Sequence, residues 1–328
     1  MEWNTKITEL LGCKYPIIQG AYHGFGTSAL AAPVSEAGAF GLITASALHT
    51  PEKLREDIQR ARSMTDKPFG INLTIGLFPG MEEMMEVAIE EKIPVVETAA
   101  FKAEEYGKKL KQAGIKWIHK VATVKHAVTA EKYGADAVVI VGLEGTGFKH
   151  ISQLPTLVNI SWATRLIKIP IIAAGGIADA HGFLASLCLG AEGVYLGTAF
   201  MATKECPISD RFKEALVKAD PTDPKYRDRC LAPPKAEEYE RAMQKRGKVA
   251  THEWLRELEM TLLKSTSEER DSMKDIDSMD MSEEILRSAG GSLAVAAIDR
   301  VLSVKELIDA IIKEAEEILH SGKFPTGA

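Results

Sequence analysis

The feature that most constrains this chain is a rhythm. Short apolar runs rich in Val and Ile recur eight times, each followed by a longer stretch with mixed apolar and charged residues. The runs predict strands at 15–19, 40–44, 69–74, 94–98, 117–121, 137–143, 170–174 and 193–197. Continuous runs such as AVVIV and PIIAA suit strands buried on both faces, as in a parallel sheet. Between them the pattern predicts helices at 51–62, 82–91, 103–112, 124–133 and 179–189. Thr50 can cap the first of these, with Pro51 in its first turn. Gly38, Gly114, Gly134 and Gly190 each stand where a helix should stop, because glycine accepts the left-handed conformation that ends one. Eight strand–helix units close naturally into an α/β structure of the (β/α)8 TIM barrel type, with an open doubly wound sheet as the alternative.

The rhythm breaks after the eighth strand. From about 207 to 284 no strand signal appears, prolines punctuate the chain, and charge density rises in segments such as KAEEYERAMQKRG. We read residues 1–206 and 285–328 as the barrel, and 207–284 as a helical insertion after strand eight. The insertion is expected beside the barrel mouth, as a lid or as a solvated appendage. A last amphipathic helix is expected at 304–319.

Composition excludes several function classes. A formal net charge of −6, with Lys and Arg scattered, gives no nucleic-acid footprint and no basic membrane-surface helix. No run approaches the length of a membrane span, and the N-terminus lacks a leader's apolar stretch. Cys13, Cys188, Cys206 and Cys230 lie far apart, without metal-ligand spacing, so no metal site is expected and a reducing cytoplasmic location fits. A small-molecule substrate and, on base rates, a homodimer are the expected partners.

A barrel of this kind builds its site from the loops after its strands. Gly175 and Gly176 follow strand seven, and Gly197 and Thr198 follow strand eight. Glycines in both loops let backbone N–H groups approach a phosphate. After strand one comes Gly20-Ala21-Tyr22-His23-Gly24-Phe25, a loop able to lie flat on a ring system. Asn72 ends strand three with an amide that can donate and accept. Lys120 lies in a buried strand and so needs a partner or a ligand; Glu97 of strand four is a candidate. His119, its neighbour, must face the other way. Strand six ends in Gly142-Leu143-Glu144-Gly145-Thr146-Gly147-Phe148-Lys149-His150, a glycine-rich turn carrying one carboxylate.

These pieces resemble the nitronate monooxygenase family, formerly the 2-nitropropane dioxygenases, which also includes flavin-type enoyl-ACP reductases and some NADH:quinone reductases. The resemblance runs through ITELLGCKYPIIQG, KPFGINL, GADAVVIVGLEGTG, IPIIAAGGIADAHG, LGAEGVYLGTAFMATKECP and AGGSLA. It implies a barrel binding FMN, with the phosphate on Gly175, Gly176, Gly197 and Thr198. It also implies Gly20, Ala21 and Tyr22 against the isoalloxazine, and Asn72, Lys120 and Glu144 along its polar edge, with Gly147 nearby. One departure bears on function: Phe148 stands where the family usually has a histidine that serves as base or sits over the flavin. Ala21-Tyr22 replaces a common Pro-Met, and Ala174 a common serine. His23 and His150 are the candidates to replace the missing base, and Phe148 and Phe25 would line an apolar substrate pocket. The first expectation is therefore a flavin oxidation of alkyl nitronates with O2. The alternatives are an NAD(P)H-dependent FMN reductase acting on a quinone or activated alkene, and a flavin-binding protein with little turnover.

Overall fold

The computed structural model describes residues 1–21, 25–76, 80–147, 149–231, 241, 244 and 291–321. Eight strands form one parallel sheet in the order β1-β8-β7-β6-β5-β4-β3-β2. They are β1 (Ile17–Gln19), β2 (Gly41–Thr44), β3 (Phe69–Ile75), β4 (Val95–Ala100), β5 (Lys116–Val121), β6 (Ala137–Val141), β7 (Ile171–Ala174) and β8 (Gly193–Leu196). The two ends of that order meet. Ile18 and Phe40 form a parallel bridge, the Gln19 N–H donates to Phe40 O at 2.9 Å, and the Leu42 N–H donates to the Gln19 side-chain Oε1 at 2.9 Å. The sheet is a closed (β/α)8 barrel, and all eight strands fall where the apolar runs predict them.

Helices alternate with strands around it: α1 (Lys6–Leu11), α2 (Ser28–Glu36), α3 (Pro51–Met64), α4 (Met81–Glu90), α5 (Glu104–Gln112), α6 (Val124–Lys132), α7 (Thr156–Ala163) and α8 (Ala180–Cys188). After β8 come a single turn, α9 (Thr198–Met201), then α10 (Asp210–Lys218) and α11 (Pro224–Leu231); the chain closes on α12 (Val304–His320). Thr50 caps α3, accepting the Lys53 N–H at 3.3 Å, and Pro51 fills its first position. The four glycines expected to stop helices all have positive φ, from 76° at Gly114 to 96° at Gly190. Among the described residues no helix is long and apolar enough to cross a membrane.

Register decides what the barrel interior contains. Partners across parallel strands share a face, so one row runs Thr44, Asn72, Glu97, Ile118, Ala137. The row above holds Lys120, Val139, Ile172 and Gly193, and the next holds Val141, Ala174, Tyr195 and Ile18. The interior is thus polar toward β3–β5 and apolar toward β6–β8. Its lower end is plugged by α1, whose Ile7 and Leu11 pack into the same cluster as Ile18, Leu42, Val95 and Ile118. A capping box between Thr5 and Thr8 fixes the start of α1. A second, larger apolar layer fills the space between the sheet and the outer helices.

Of the insertion, the described part is helical. α10 and α11 pack against Met201, Ala202 and Val295, and Phe25 from the β1 loop joins that cluster. The remainder of 207–284 lies outside the described residues apart from 241 and 244.

Candidate active site at the barrel mouth

The upper rows of the interior bring four polar side chains together. The Asn72 amide donates to Glu97 Oε1 at 2.6 Å, and the Tyr195 hydroxyl donates to the same oxygen at 3.0 Å. Lys120 Nζ lies 3.5 Å from that oxygen and donates to the Tyr195 hydroxyl at 3.1 Å, with its ammonium 4.9 Å from the Tyr195 ring centroid. The Ala21 N–H donates to the same hydroxyl at 2.7 Å. A phenol has one proton to give and two lone pairs, so Tyr195 is fully used: two donors reach it and it donates once. Burial first, and then the Glu97 carboxylate, push its pKa well above the ordinary phenol value, so the proton stays. The Glu97 side chain is 2% exposed and that of Lys120 20%, so the pair is open on the lysine side only.

His119 faces the outer layer, as parity requires. Its Nδ1 lies 2.8 Å from Thr98 Oγ1 and 3.0 Å from Thr98 O, and Trp117 Nε1 donates to that hydroxyl at 2.7 Å. Burial is the main cause that lowers its pKa to about 4, so it is neutral.

The loops after β7 and β8 form the second half of the mouth. Gly175 and Gly176 have φ of 102° and 74°, values that strain any residue with a Cβ. Gly20 lies so near that a Cβ on it would come within 2.8 Å of the Gly197 Cα, and its N–H donates to Leu196 O at 2.7 Å. A Cβ on Gly197 would meet nothing within 4 Å. The backbone there borders open space, next to the start of α9. Beside it the returning chain adds Ser292, whose N–H donates to Thr198 Oγ1 at 3.0 Å and whose hydroxyl lies 2.9 Å from the same atom. The Tyr226 hydroxyl of α11 donates to Ser292 O at 3.1 Å, tying the insertion to this corner.

The β6–α7 loop is held from within. Glu144 accepts the Thr156 N–H at 2.9 Å and the Thr156 hydroxyl at 2.9 Å through Oε2, which places its charge at the start of α7. The Thr156 hydroxyl also lies 2.9 Å from Gly175 O, an alternative acceptor for its one proton, so Glu144, α7 and the strand-seven loop form one unit, and Gly176 abuts the Glu144 side chain. Lys149 is buried, donating to Leu143 O at 2.7 Å and to Gly145 O. Gly147 has a φ of 90° with open space where a Cβ would be. His150 meets His126 of α6 edge-on at 5.1 Å, and its Nδ1 accepts the Ser152 N–H at 3.0 Å. Burial, and then His126, lower its pKa.

The structure therefore gathers Gly20, Ala21, Asn72 and Lys120 with Glu97 and Tyr195. It sets Gly175, Gly176, Gly197 and Thr198 on the other side of the same mouth. Phe25 turns to the insertion, its ring 6.3 Å from that of Phe212. Tyr22, His23 and Phe148 lie outside the described residues. Tyr195, Thr156 and Ser292 are not among the site residues expected from the sequence. Tyr195 sits in the run GVYL and reads as an ordinary core aromatic until register turns its hydroxyl inward. The AGGSLA segment that contains Ser292 was a signal for the third.

The family model described as Nitronate monooxygenase matches residues 4–314. FabK from Thermotoga maritima is 33% identical, superposes with a TM-score of 0.77, and is covered over 98% of both chains. A Staphylococcus aureus (strain MSSA476) protein with the name "Probable nitronate monooxygenase" is 32% identical over 268 residues, which is 67% of this chain and 74% of that protein. The (3aS,4S,5R,7aS)-5-hydroxy-7a-methyl-1-oxo-octahydro-1H-indene-4-carboxyl-CoA dehydrogenase of Rhodococcus jostii (strain RHA1) is 34% identical over 209 residues. That match spans 64% of this chain and 58% of the dehydrogenase's length. With a family model matched almost from end to end on a closed barrel, the chain belongs to the nitronate monooxygenase family of flavin oxidoreductases.

Proposed function

We propose that this chain is an FMN-dependent oxidoreductase that takes small anionic substrates, alkyl nitronates first, with O2 as final acceptor. The observation that carries the reading is the pairing, at one mouth, of a glycine-walled gap with a fixed ammonium, Lys120. The residues fit FMN. Open space before Gly197, the left-handed Gly175 and Gly176, and the start of α9 suit a phosphate, which Thr198 would also hold. Gly20 and Ala21, with Tyr22, would lie against the ring, and Asn72 and Lys120 at its polar edge. Thr44, in register with Asn72, is buried, and among the described residues its hydroxyl has no hydrogen-bond partner, as expected of a group kept for a bound molecule. FMN, when bound, supplies the redox chemistry, taking electrons from one substrate and giving them to another.

The chain's own residues do the rest. Tyr195 and Glu97 hold Lys120 so that its remaining N–H bonds face the opening, where they attract and orient an anion. Glu144 fixes the β6–α7 loop against the glycines rather than meeting the substrate. Phe148 would contribute apolar wall, whereas Phe25 packs on Phe212 of the insertion instead. A nitronate arrives already ionised, so the reaction needs no base to form it. That agrees with Phe148 at the family's histidine position, and with His119 and His150 engaged by Thr98 and by His126. If a proton must move, His23 and His150 are the groups to test. Four cysteines scattered along the chain without metal-ligand spacing suit a reducing, cytoplasmic setting.

The end-to-end likeness to FabK favours a second reading, an NAD(P)H-dependent FMN reductase acting on a quinone or activated alkene. An anaerobic visible spectrum of the purified protein separates them. Loss of flavin absorbance on adding propyl nitronate, but not NADH or NADPH, is the result expected. Loss with a nicotinamide nucleotide makes it the reductase, and a yellow protein that nothing reduces is a flavin binder with little turnover. A colourless protein that takes up no FMN overturns the proposal.

A further inference from the structure

Where the chain returns from the insertion to the barrel, two residues are gripped from both sides. Gly291 has a φ of 85°, and a Cβ on it would come within 2.7 Å of the Tyr226 hydroxyl, 2.8 Å of Leu216 Cδ2 and 3.1 Å of Thr198 Cγ2. The left-handed backbone and the close approach of α9, α10 and α11 both require glycine here. On the α11 side, the Tyr226 hydroxyl donates to Ser292 O at 3.1 Å, and the Cys230 thiol donates to Gly291 O at 3.8 Å. Two successive carbonyls are thus held by one helix. On the barrel side, the Ser292 N–H donates to Thr198 Oγ1 at 3.0 Å, and the two hydroxyl oxygens lie 2.9 Å apart. Thr198, Ser292, Tyr226 and Cys230 are 4%, 6%, 7% and 0% exposed, so water does not hold this corner together.

The two hydroxyls have one proton more than they can place. Each has one proton and two lone pairs. Thr198 Oγ1 accepts the Ser292 N–H, and Ser292 Oγ accepts the Ala294 N–H at 3.2 Å. One hydroxyl proton closes the contact between the two oxygens. Whichever way that proton points, the other has no acceptor among the described residues. A buried O–H seldom goes unused, and this pair adjoins Gly197, where a Cβ would meet open space.

We propose that Thr198 and Ser292 act as one hydroxyl pair whose remaining proton goes to the FMN phosphate, and that flavin binding thereby locks α11 onto the barrel through Tyr226. This rests on the FMN reading given above. The coupling is reciprocal: whatever docked α11 adds to FMN affinity, FMN adds to the docking of α11. Its trigger is the phosphate and not the ring, so riboflavin, which has the ring alone, should bind without it.

Backbone amide exchange of the full-length protein, flavin-free and then saturated with FMN or with riboflavin, tests this. FMN is expected to slow exchange in α11 and at 291–295 by at least about tenfold, and riboflavin to leave it unchanged. Ser292→Ala should raise the FMN dissociation constant by at least about tenfold, as for one hydrogen bond to a charged group, and leave that for riboflavin as it was. Tyr226→Phe keeps the ring and removes the bond to Ser292 O. It should raise the FMN constant about threefold and diminish the protection that FMN gives α11. FMN that binds without slowing exchange in α11, or riboflavin that slows it equally, overturns the proposal. So does unchanged FMN affinity in Ser292→Ala. A protein that binds neither flavin fails the FMN reading itself, and this inference with it. Should Ser292→Ala not fold, or riboflavin not bind, Tyr226→Phe decides: FMN-induced protection equal to that of the wild type refutes the coupling.

Discussion

The two ends of this barrel are made from the same eight strands and treat them in opposite ways. At the lower end α1 fills the opening with Ile7 and Leu11, apolar side chains that are 0% and 2% exposed. At the upper end the opening is bordered by backbone and by ionisable groups: Lys120, Glu97 and Tyr195 on one side, Gly175, Gly176 and Gly197 on the other. The lower end is closed by volume, and the upper end is kept open by its absence. The difference teaches where substitutions should be felt. Below, a lost methyl group should weaken the fold and leave ligand binding alone. Above, an added methyl group should do the reverse.

The largest effect is expected from Gly197→Val. Its side chain would enter the space reserved for the phosphate, lowering FMN affinity by at least about a thousandfold, or about 4 kcal/mol. The melting temperature of the FMN-free protein should barely move; full flavin occupancy in this variant would break the comparison at its upper end. Ile7→Ala is the counterpart below. It leaves a cavity under the barrel and should cost about 3–4 kcal/mol in denaturant unfolding, with FMN content per folded molecule unchanged.

His119 sharpens the contrast between the inside and outside of a single strand. Its pKa is lowered from 6.5 to about 4 in the fold, so the unfolded chain takes up a proton first as pH falls. The stability it contributes is complete above pH 6.5 and is lost as pH drops toward 4, about 3 kcal/mol in all. A His119→Gln variant should flatten that part of the unfolding free energy plotted against pH, and an unchanged slope would show that other groups set it. The smallest effect is expected from Tyr195→Phe. It strips the acceptor from the Ala21 N–H and from Lys120, for about 1–2 kcal/mol of stability. Because Lys120 is then less firmly aimed, kcat/KM should fall by roughly tenfold. Unchanged kinetics would mean that Glu97 alone positions the lysine.

Much of this was legible in the sequence, for reasons that particular residues make plain. Parallel strands buried on both faces must be continuous apolar runs, so AVVIV and PIIAA marked β6 and β7 directly. Parity along β5 set Lys120 inward and His119 outward, and the Glu97–Lys120 pair followed from the need to neutralise a buried charge. α1, α2 and α7 were not among the expected helices. α2 is built from small residues around Pro33, and α7 exposes apolar side chains, so neither shows the two-faced pattern that marks a helix. Glu144 was legible as a carboxylate at the mouth. Its partner was not, because Thr156 reaches it only after the loop between them has folded back. Tyr195 needed register: nothing local distinguishes a tyrosine whose hydroxyl organises the interior from one that fills it.

The seam between β1 and β2 has a mechanical consequence. Around the hoop, seven joints are laddered pairs of strands, while the eighth rests on one bridge, Ile18 to Phe40, and one side-chain latch, Gln19 to Leu42. A hoop under load parts at its weakest joint, which here lies beneath the loop carrying Gly20 and Ala21. That loop is fastened across the other joint, to Leu196 and Tyr195 of β8. If the seam slackens, β1 travels with β8, and the glycine cradle keeps its shape while the barrel gives way beside it.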